Sequence, residues 1–584
     1  MFYNPAALGT KLFSKTHFIN GDQHFFNLFW LLLVSCSLIL LGLGLRDPWP
    51  ADEPRFALIA KEMVDSGQWF FPMRGGELYP DKPPIFMWSI ALFYWLTGSI
   101  TLAFLLPSAL CGIATVMLVY DLGRRLWSNQ VGWYAALLLL LSLQFMLQAK
   151  TAQIDAMVCC WITIGCYGLI RFLLLGGGWR WYFLAWFFMG IGVITKGIGF
   201  LPLLMLLPYG IIRLANIADS HTNQVEKPRS WYWVLGPVVM LGAISLWFLP
   251  MLYLVDHYQQ PLFTLYRDNI LFRQTVTRYA DSWHHLKPMW YYIISVIPVF
   301  WLPISLMLPW LVKHWKQAIC QADRRIILPL GWIVLVLIFF SLSPGKRGVY
   351  ILPALPMLAL VTAPYLRHVL CSKWFNRLIF TVVAAISFAL LMFGIAGQLD
   401  MAFASKLSTR YELEPWLFLM AVGGSGVFIC MLTVRSRQFL SWLWFIPVLW
   451  IFYSTWGYTL LNQVKTPKSI FAQIAHVIPD NAELALVNFS EQFILFSPYA
   501  TTHFGYHTPD DQEIRAAWRW QQAREYGVIL IDGETQTDCF DMQQGIPLGL
   551  AHRVNWVLLT KDARRGSCAL PDSKVVEYHT QPKK

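Results

Sequence analysis

Acidic, basic and aromatic side chains are concentrated in residues 46–88, in a stretch that apolar segments flank on both sides. Carboxylates can orient a substrate or act as general bases, and cations can stabilise a developing negative charge. Because the whole chain is 57% hydrophobic and only 13% charged, such a cluster indicates chemistry at the edge of a bilayer. The residues concerned are Asp52, Glu53, Arg55, Tyr79, Asp81 and Lys82.

The composition identifies an α-helical polytopic membrane protein. The 584 residues include 29 Trp and 40 Phe, and several apolar runs approach the length of about 20 residues that a helix needs to cross a bilayer. The formal net charge is +12, but Lys and Arg occur in small groups between apolar runs. We therefore expect membrane topology to explain the charge, and no nucleic-acid partner.

Apolar runs and the positive-inside rule predict about 13 transmembrane helices, with the N-terminus in the cytoplasm. The run 84–97 is too short to cross, and counting it as a span would place Arg124 and Arg125 outside. We therefore expect lateral helical structure in the first external loop, 46–99. The expected spans lie near 27–45, 101–120, 131–148, 156–175, 181–195, 198–214, 232–254, 289–312, 326–342, 349–366, 378–396, 415–434 and 438–461.

A second group of polar residues falls outside the membrane and does not obey the positive-inside bias. An anionic ligand that binds at the outer membrane face would explain cations there, because contacts between cations and phosphate are strong in a partly dry site. The residues are Lys150, Asp155, Lys196, Tyr266, Arg267, Arg278, His284, His285, Lys346, Arg347 and Tyr350.

The chain becomes polar after Leu461. We expect a membrane domain over residues 1–461 and an external soluble α/β domain over 462–584, with helices near 469–477 and 512–525. Three segments predict strands: ELALVNF, YGVILID and RVNWVLL. The two cysteines of this part, Cys539 and Cys568, are expected to form a disulfide in an oxidising compartment. We expect this domain to contribute no catalytic residue.

Six short motifs follow one another along the chain: DEPRF at 52–56, YPDKPP at 79–84, Asp155, TKG at 195–197, HHLKPMWYY at 284–292 and GKRGVYILPALP at 345–356. In this order they resemble the GT-C glycosyltransferases of the protein O-mannosyltransferase superfamily, and most closely the bacterial lipid A aminoarabinose transferases. The resemblance implies a GT-C fold in the bacterial inner membrane, with the C-terminal domain in the periplasm.

The resemblance also implies a reaction, the transfer of a sugar from a polyprenyl phosphate to an acceptor at the periplasmic face with inversion at the anomeric carbon. In the aminoarabinose branch the donor is undecaprenyl phosphate carrying 4-amino-4-deoxy-L-arabinose, and the acceptor is lipid A, so membrane lipids are the expected partners. The chain departs from this branch at Asp81, where the branch has glutamate, and at Pro54. The sugar therefore stays open.

Three alternatives remain. One is an enzyme similar to the protein O-mannosyltransferases, and another is a transferase of a different hexose or hexosamine to lipid or glycan. The third, a lipid flippase or transporter, is disfavoured because ionisable groups collect at the external ends of the spans and not at mid-bilayer.

The resemblance and the chemistry together predict the site residues. We expect Asp52, Asp155 and Lys82 to be catalytic. Asp52 would orient the donor or the acceptor when the acceptor is a phosphate, and would serve as the base for a hydroxyl acceptor. Asp81 and His285 are candidate ligands for a divalent metal, and no other cofactor is predicted. The expected substrate-binding residues are Glu53, Arg55, Tyr79, Asp81, Lys196, Arg267, His285, Lys346, Arg347 and Tyr350.

Simpler roles exist for some of these side chains. Asp52 could form only an ion pair with Arg55 three positions later. Lys82 could extend to the lipid headgroups, and Lys346 and Arg347 could be interfacial anchors.

Overall fold

The computed structural model of the chain describes residues 20–215, 231–271, 286–435, 437–479, 481–572 and 574–580. Within them, helices predominate up to residue 465 and a sheet follows. The α-helices of the first part are Asn20–Leu40, Glu53–Ser66, Ile85–Thr97, Ile100–Ala103, Leu106–Leu126, Asn129–Leu140, Leu143–Ala149, Ile154–Leu174, Trp179–Lys196, Leu206–Leu214, Tyr232–Tyr258, Pro261–Asp268, Ile297–Phe300, Ile304–Cys320, Arg324–Leu342, Ala354–Thr362, Leu366–Cys371, Lys373–Gln398, Ala402–Tyr411, Trp416–Thr433, Leu440–Phe452 and Tyr458–Lys465.

Seven helices in the described part of the chain are long and apolar enough to cross a membrane, and two bent pairs raise this number to nine. This is fewer than the expected 13, although each expected span has a helical counterpart. The difference arises because several counterparts are short or broken, such as Leu201–Leu214 and the pair Tyr292–Phe300 and Ile304–Cys320, which bends by 108°. The bend contains Pro303, which cannot donate a helical hydrogen bond.

The short helix expected near 84–97 is present as Ile85–Thr97, which ends at Gly98 in a left-handed conformation. It buries Phe86 and Ile90, and the Phe86 ring packs edge-on against Phe56 at 5.3 Å between centroids. The helix therefore packs against the helix that follows Asp52, while its place in the first external loop and its lateral orientation in a bilayer stay predictions.

The helix Glu53–Ser66 carries the first candidate residues, and its ends follow from the sequence. Pro54 lies in its first turn, where no intrahelical N–H is needed. Gly67, with φ of 73°, ends it by donating its N–H to the carbonyl of Met63. This places Asp52 at the N-cap, at the open end of the helix.

A small hairpin follows in the same loop. Met73–Arg74 pairs antiparallel with Glu77–Leu78. The connecting residues Gly75 and Gly76 have φ of 66° and 81°, a conformation that favours glycine in two-residue hairpin turns. The hairpin is one of the surfaces that the C-terminal part contacts.

The C-terminal part contains a six-stranded sheet. The three expected strands are present, with parallel pairing of Glu483–Leu486 to Gly527–Asp532 and antiparallel pairing of Gly527–Asp532 to Val554–Leu559. The sequence analysis missed three further strands, Ala500–His503, Ile546–Ala551 and Tyr578–Thr580, and the helix Glu491–Phe496. Helices Lys468–Ile474 and Asp510–Gln522 lie near the two that were expected.

The disulfide between Cys539 and Cys568 is present, as expected. The helix Tyr458–Lys465 continues across position 461, so the composition changes within a helix and not in a linker. The division into domains over 1–461 and 462–584 stays a prediction.

Candidate functional site

Asp52 lies between two guanidinium groups. Arg55 Nη1 is 3.4 Å from Asp52 Oδ1, and Arg347 Nη2 is 3.7 Å from Asp52 Oδ2. The Asp52 side chain keeps 21% of its surface exposed, and that of Arg347 keeps 46%. The simple i,i+3 ion pair with Arg55 therefore exists, but a second cation from a distant loop adds to it, and both remain accessible to a ligand.

Glu53, the next residue, has a different environment. It is 3% exposed, and its carboxylate accepts hydrogen bonds from Arg46 at 2.5 and 2.8 Å, from the Trp49 N–H at 2.8 Å and from the Ala152 N–H at 2.9 Å. These bonds occupy the carboxylate within the protein, so we revise the substrate-binding prediction. Glu53 instead fixes the N-terminus of its helix, and with it Asp52, against the segment that precedes Asp155.

Asp155 and Lys196 form an ion pair, and each side chain is 14% exposed. Asp155 is in the first turn of the helix Ile154–Leu174, and Lys196 is in the last turn of Trp179–Lys196. Because these neighbouring helices are antiparallel, the start of one meets the end of the other. Lys196 Nζ also lies 4.8 Å from the centre of the Tyr350 ring, so all three predicted residues are together.

The turn at residues 345–351 joins the two ion pairs. It supplies Arg347 to Asp52 and Tyr350 to Lys196, and the Tyr350 N–H donates to the Arg347 carbonyl at 3.0 Å. Gln144 holds this turn by donating to the Gly348 carbonyl at 2.8 Å. The site therefore consists of this turn, which contacts Asp52 and Lys196, and of Asp155, which joins it through Lys196.

Lys346, in the same turn, points elsewhere. It is 4% exposed, and its Nζ donates to the carbonyls of Lys287 at 3.0 Å and Ser343 at 2.5 Å. These contacts hold the turn in place. We therefore revise the prediction that Lys346 binds a phosphate, and retain it for Arg347.

The YPDKPP segment, residues 79–84, lies in the loop that carries Asp52. Tyr79 is buried, burial raises the pKa of its phenol to about 12, and Arg55 lies 6.0 Å from its ring centre. Asp81 is exposed and Lys82 is half-buried. The Tyr266 hydroxyl donates to the Lys82 carbonyl at 3.2 Å, which fixes the backbone of this segment.

The remaining predicted residues are less informative. Arg267 pairs with its neighbour Asp268 at 2.8 Å at the end of the helix Pro261–Asp268. His285, like Arg278 and His284, lies outside the described residues. Within the described residues, no group of three or more His, Cys, Asp or Glu could hold a metal ion, and the pair Asp81 and His285 stays a prediction.

The structure also changes the interpretation of Lys150. This residue is buried, and its Nζ donates to the carbonyls of Ile39 and Leu41 at 3.2 and 2.9 Å. These carbonyls lie at the end of the helix Asn20–Leu40 and just beyond it, where carbonyls lack helical partners. A capping role therefore explains this cation, and no anionic ligand is needed for it.

Glu491, which comes from the C-terminal part, is a site residue that the sequence does not predict. Its Oε1 accepts from Arg55 Nε at 3.2 Å and lies 3.7 Å from Arg74 Nη1. No motif marks this residue, because its partner is 436 positions away. Arg55 is therefore shared between Asp52 and Glu491.

Sequence comparisons find a family model and several relatives that this chain resembles. Residues 81–249 match the family model described as dolichyl-phosphate-mannose-protein mannosyltransferase. The chain is 32% identical over 395 residues to undecaprenyl phosphate-alpha-4-amino-4-deoxy-L-arabinose arabinosyl transferase 1 of Pseudomonas fluorescens, covering 66% of this chain and 67% of that protein. It is 27% identical to the Yersinia pestis transferase over 83% of this chain and 88% of that one. The match to transferase 2 of Sodalis glossinidius, at 31% identity, spans 57% of this chain and only 58% of that relative.

Solved structures show the same fold. ArnT from Cupriavidus metallidurans superposes with a TM-score of 0.68 at 19% identity, covering 92% of this chain and 99% of that one. An archaeal oligosaccharyltransferase from Archaeoglobus fulgidus superposes with a TM-score of 0.50 at 12% identity, covering 88% and 70%. The fold is therefore that of the GT-C glycosyltransferases. With the Pseudomonas match, these findings establish that the chain is a membrane glycosyltransferase that belongs to the undecaprenyl phosphate-aminoarabinose arabinosyl transferase family.

Proposed function

We propose that this protein transfers 4-amino-4-deoxy-L-arabinose from undecaprenyl phosphate to a lipid A phosphate, with inversion, at the periplasmic face of a bacterial inner membrane. The names of its relatives support the donor and the sugar. The observation that carries the proposal is the accessible carboxylate of Asp52 between Arg55 and Arg347, connected by one turn to the pair Asp155 and Lys196.

The cations suit the leaving group. As the glycosidic bond breaks, negative charge grows on the lipid phosphate, so fixed cations stabilise the transition state more than the bound donor. Arg347 is more exposed than Arg55 or Lys196, and Lys196 is held in a partly buried position by Asp155. One such oriented donor can lower a barrier by roughly 3 kcal/mol. Lys82, which is half-buried in the loop that carries Asp52, is a further candidate.

The carboxylates suit an amino sugar and an anionic acceptor. A phosphate acceptor is already an anion at neutral pH and needs no general base. Asp52 can then orient the donor, because its partly exposed carboxylate can pair with the ammonium group of the sugar. Inversion requires the acceptor to attack from the face opposite the leaving phosphate, and the guanidinium groups on both sides of Asp52 can hold two anionic groups apart.

The orientation in the membrane is part of the proposal. The helices that could cross a membrane make this a multi-pass protein. The disulfide Cys539–Cys568 supports an oxidising compartment for the C-terminal part, since such bonds persist in the periplasm and are rare in the cytosol. We place the N-terminus in the cytoplasm and residues 462–584 in the periplasm.

A reconstituted assay tests the proposal. Purified protein in liposomes receives undecaprenyl phosphate-aminoarabinose and lipid A, and mass spectrometry detects the product. We expect an added aminopentose on a lipid A phosphate. Parallel reactions offer polyprenyl-phosphate mannose with a Ser/Thr peptide, and transfer only in that reaction would favour the protein O-mannosyltransferase alternative. Loss of activity with a chelator, restored by a divalent metal, would support the pair Asp81 and His285.

A further inference from the structure

The C-terminal part holds the hairpin of the first loop. His503 Nε2 donates to the Gly75 carbonyl at 2.7 Å, and the Tyr506 N–H donates to Glu77 at 2.6 Å. Arg74 lies 3.6 Å from the centre of the Tyr506 ring. The fit is close, because a Cβ on Gly75 would lie 2.6 Å from His503 Nε2. The sheet-containing part and the loop that carries Asp52 are thus in direct contact.

This contact extends to the candidate site through Glu491. Glu491 begins the helix Glu491–Phe496, and its side chain is 15% exposed. It accepts from Arg55 Nε at 3.2 Å, while Arg55 Nη1 lies 3.4 Å from Asp52. One guanidinium group therefore bridges two carboxylates, one from the membrane part and one from the C-terminal part.

We infer that Glu491 is a positioning residue, through which the C-terminal part sets the geometry of Arg55 and Asp52. This inference rests on the proposed function for the identity of the reaction. The guanidinium plane has several donors in a rigid fork, so two partners fix it better than one. Without Glu491, Arg55 can turn and close on Asp52 with two parallel hydrogen bonds, which would occupy the oxygens that Asp52 presents to the ligand.

The inference changes the role of the C-terminal part. The sequence analysis expected no catalytic residue there, and Glu491 itself need not touch the substrate. Its contact nevertheless makes the C-terminal part a component of the catalytic assembly. A misplacement of about 1 Å at a catalytic group can cost on the order of 100-fold in rate, so the effect should be large enough to measure.

The first test is Glu491→Gln in the full-length protein, which keeps the shape and removes the charge. We expect kcat to fall about 10- to 100-fold, with KM for the donor changed less than about three-fold, and partial rescue by Glu491→Asp. Glu412→Gln is the matched control, because Glu412 also joins the membrane part to the C-terminal sheet, accepting from the Leu550 N–H at 3.2 Å. The control should retain turnover within about two-fold.

A double-mutant cycle distinguishes positioning from general support. Arg55→Lys removes the bridge, since an ammonium group lacks the planar fork. If Glu491 acts through Arg55, Glu491→Gln adds little to the defect of Arg55→Lys. If the two defects multiply, or if Glu491→Gln has the same kcat as wild type, the inference is overturned.

A second measurement does not depend on substrate. Hydrogen exchange of residues 50–58 should accelerate in Glu491→Gln and not in Glu412→Gln, and equal exchange in both would count against the inference. In the turnover experiments, each variant is compared with wild type using the acceptor that the wild type modifies. A wild type that does not modify lipid A therefore contradicts the proposed function, whereas normal exchange and normal relative turnover in Glu491→Gln contradict the positioning role.

Discussion

Arg347 Nη2 lies 3.7 Å from Asp52 Oδ2, although the two residues belong to widely separated loops. This contact brings the DEPRF and GKRGVY motifs into one site, and Tyr350 in the same turn reaches Lys196. The arrangement supports assigning these residues to a single active centre. Glu53 and Lys346 are the sequence neighbours of Asp52 and Arg347, but their charged groups are occupied by contacts within the protein. They are therefore not assigned to this centre.

Asp52→Asn should abolish most turnover without affecting folding. The amide keeps the shape of the side chain but removes the charge that holds Arg55 and Arg347, so we expect a loss of at least about 100-fold in kcat. Asp65→Asn is the control on the same helix, where the carboxylate makes an exposed pair with Lys61. Steady-state rates of both variants in liposomes check this, and an Asp52→Asn rate within about three-fold of wild type would contradict it.

Lys196→Gln should lower kcat by about 100-fold or more, because a cation that faces the leaving phosphate would be lost. Asp155→Asn should act through the same ion pair, so the double variant should be little worse than Lys196→Gln alone. The cycle is measured with purified proteins and one donor preparation. Independent, multiplying defects would show that the two residues have separate roles.

Glu53→Gln should destabilise the protein, in contrast to the change at its neighbour Asp52. It leaves the buried guanidinium group of Arg46 without its charge partner, and breaking one side of a buried pair costs about 3 to 5 kcal/mol. We expect a lower melting temperature in detergent and poor membrane accumulation. A Glu53→Gln protein that melts like wild type but does not turn over would restore the substrate-binding interpretation.

His503 should make docking of the C-terminal part weaken in acid. Burial lowers the pKa of His503 to about 4, and its neutral ring donates to Gly75 while accepting from the Gly505 N–H. Because this pKa lies below the value of about 6.5 in an unfolded chain, the stabilisation is complete above pH about 6.5 and is lost as the pH falls toward 4.

Protease resistance of the C-terminal part, measured between pH 8 and 4.5 in wild type and His503→Gln, tests this effect. The advantage of the wild type should shrink as the pH falls. Glu62 accepts from the N–H groups of Gly75 and Gly76, and burial raises its pKa to about 7. Titration of Glu62 therefore stabilises the folded state as the pH falls, which is opposite to the effect of His503. Because Glu62 is present in both proteins, the difference in protease resistance between wild type and His503→Gln reports on His503. A pH-independent difference would contradict the prediction.

Composition and motif order predict much of this molecule, and the reasons for the failures are physical. Hydrophobic runs predict transmembrane helices because a helix that crosses a bilayer must be apolar. The runs do not show where such a helix breaks, as it does around Pro303. Asp52 and Glu53 are equivalent as acids in the sequence. Their difference depends on Arg46 and the Ala152 N–H, which only the folded chain brings to Glu53.

Other features had no usable signal, or had one that was not used. Glu491 could not be found from the sequence, because its role depends on docking of the C-terminal part. The hairpin could have been found, since two consecutive glycines between short strand-forming segments are typical of a two-residue turn. Lys150 looked like a ligand for an anion, but carbonyls near a helix end provide its contacts.

The most direct test of the proposed function is mass spectrometry of lipid A from a host that lacks its own aminoarabinose transferase but still makes the donor. The host expresses this protein as wild type or as Asp52→Asn, with equal membrane amounts verified. We predict an aminopentose on a lipid A phosphate in the wild type and its absence in the variant. Unmodified lipid A with a stably inserted wild-type protein, or equal modification by both proteins, would contradict the account.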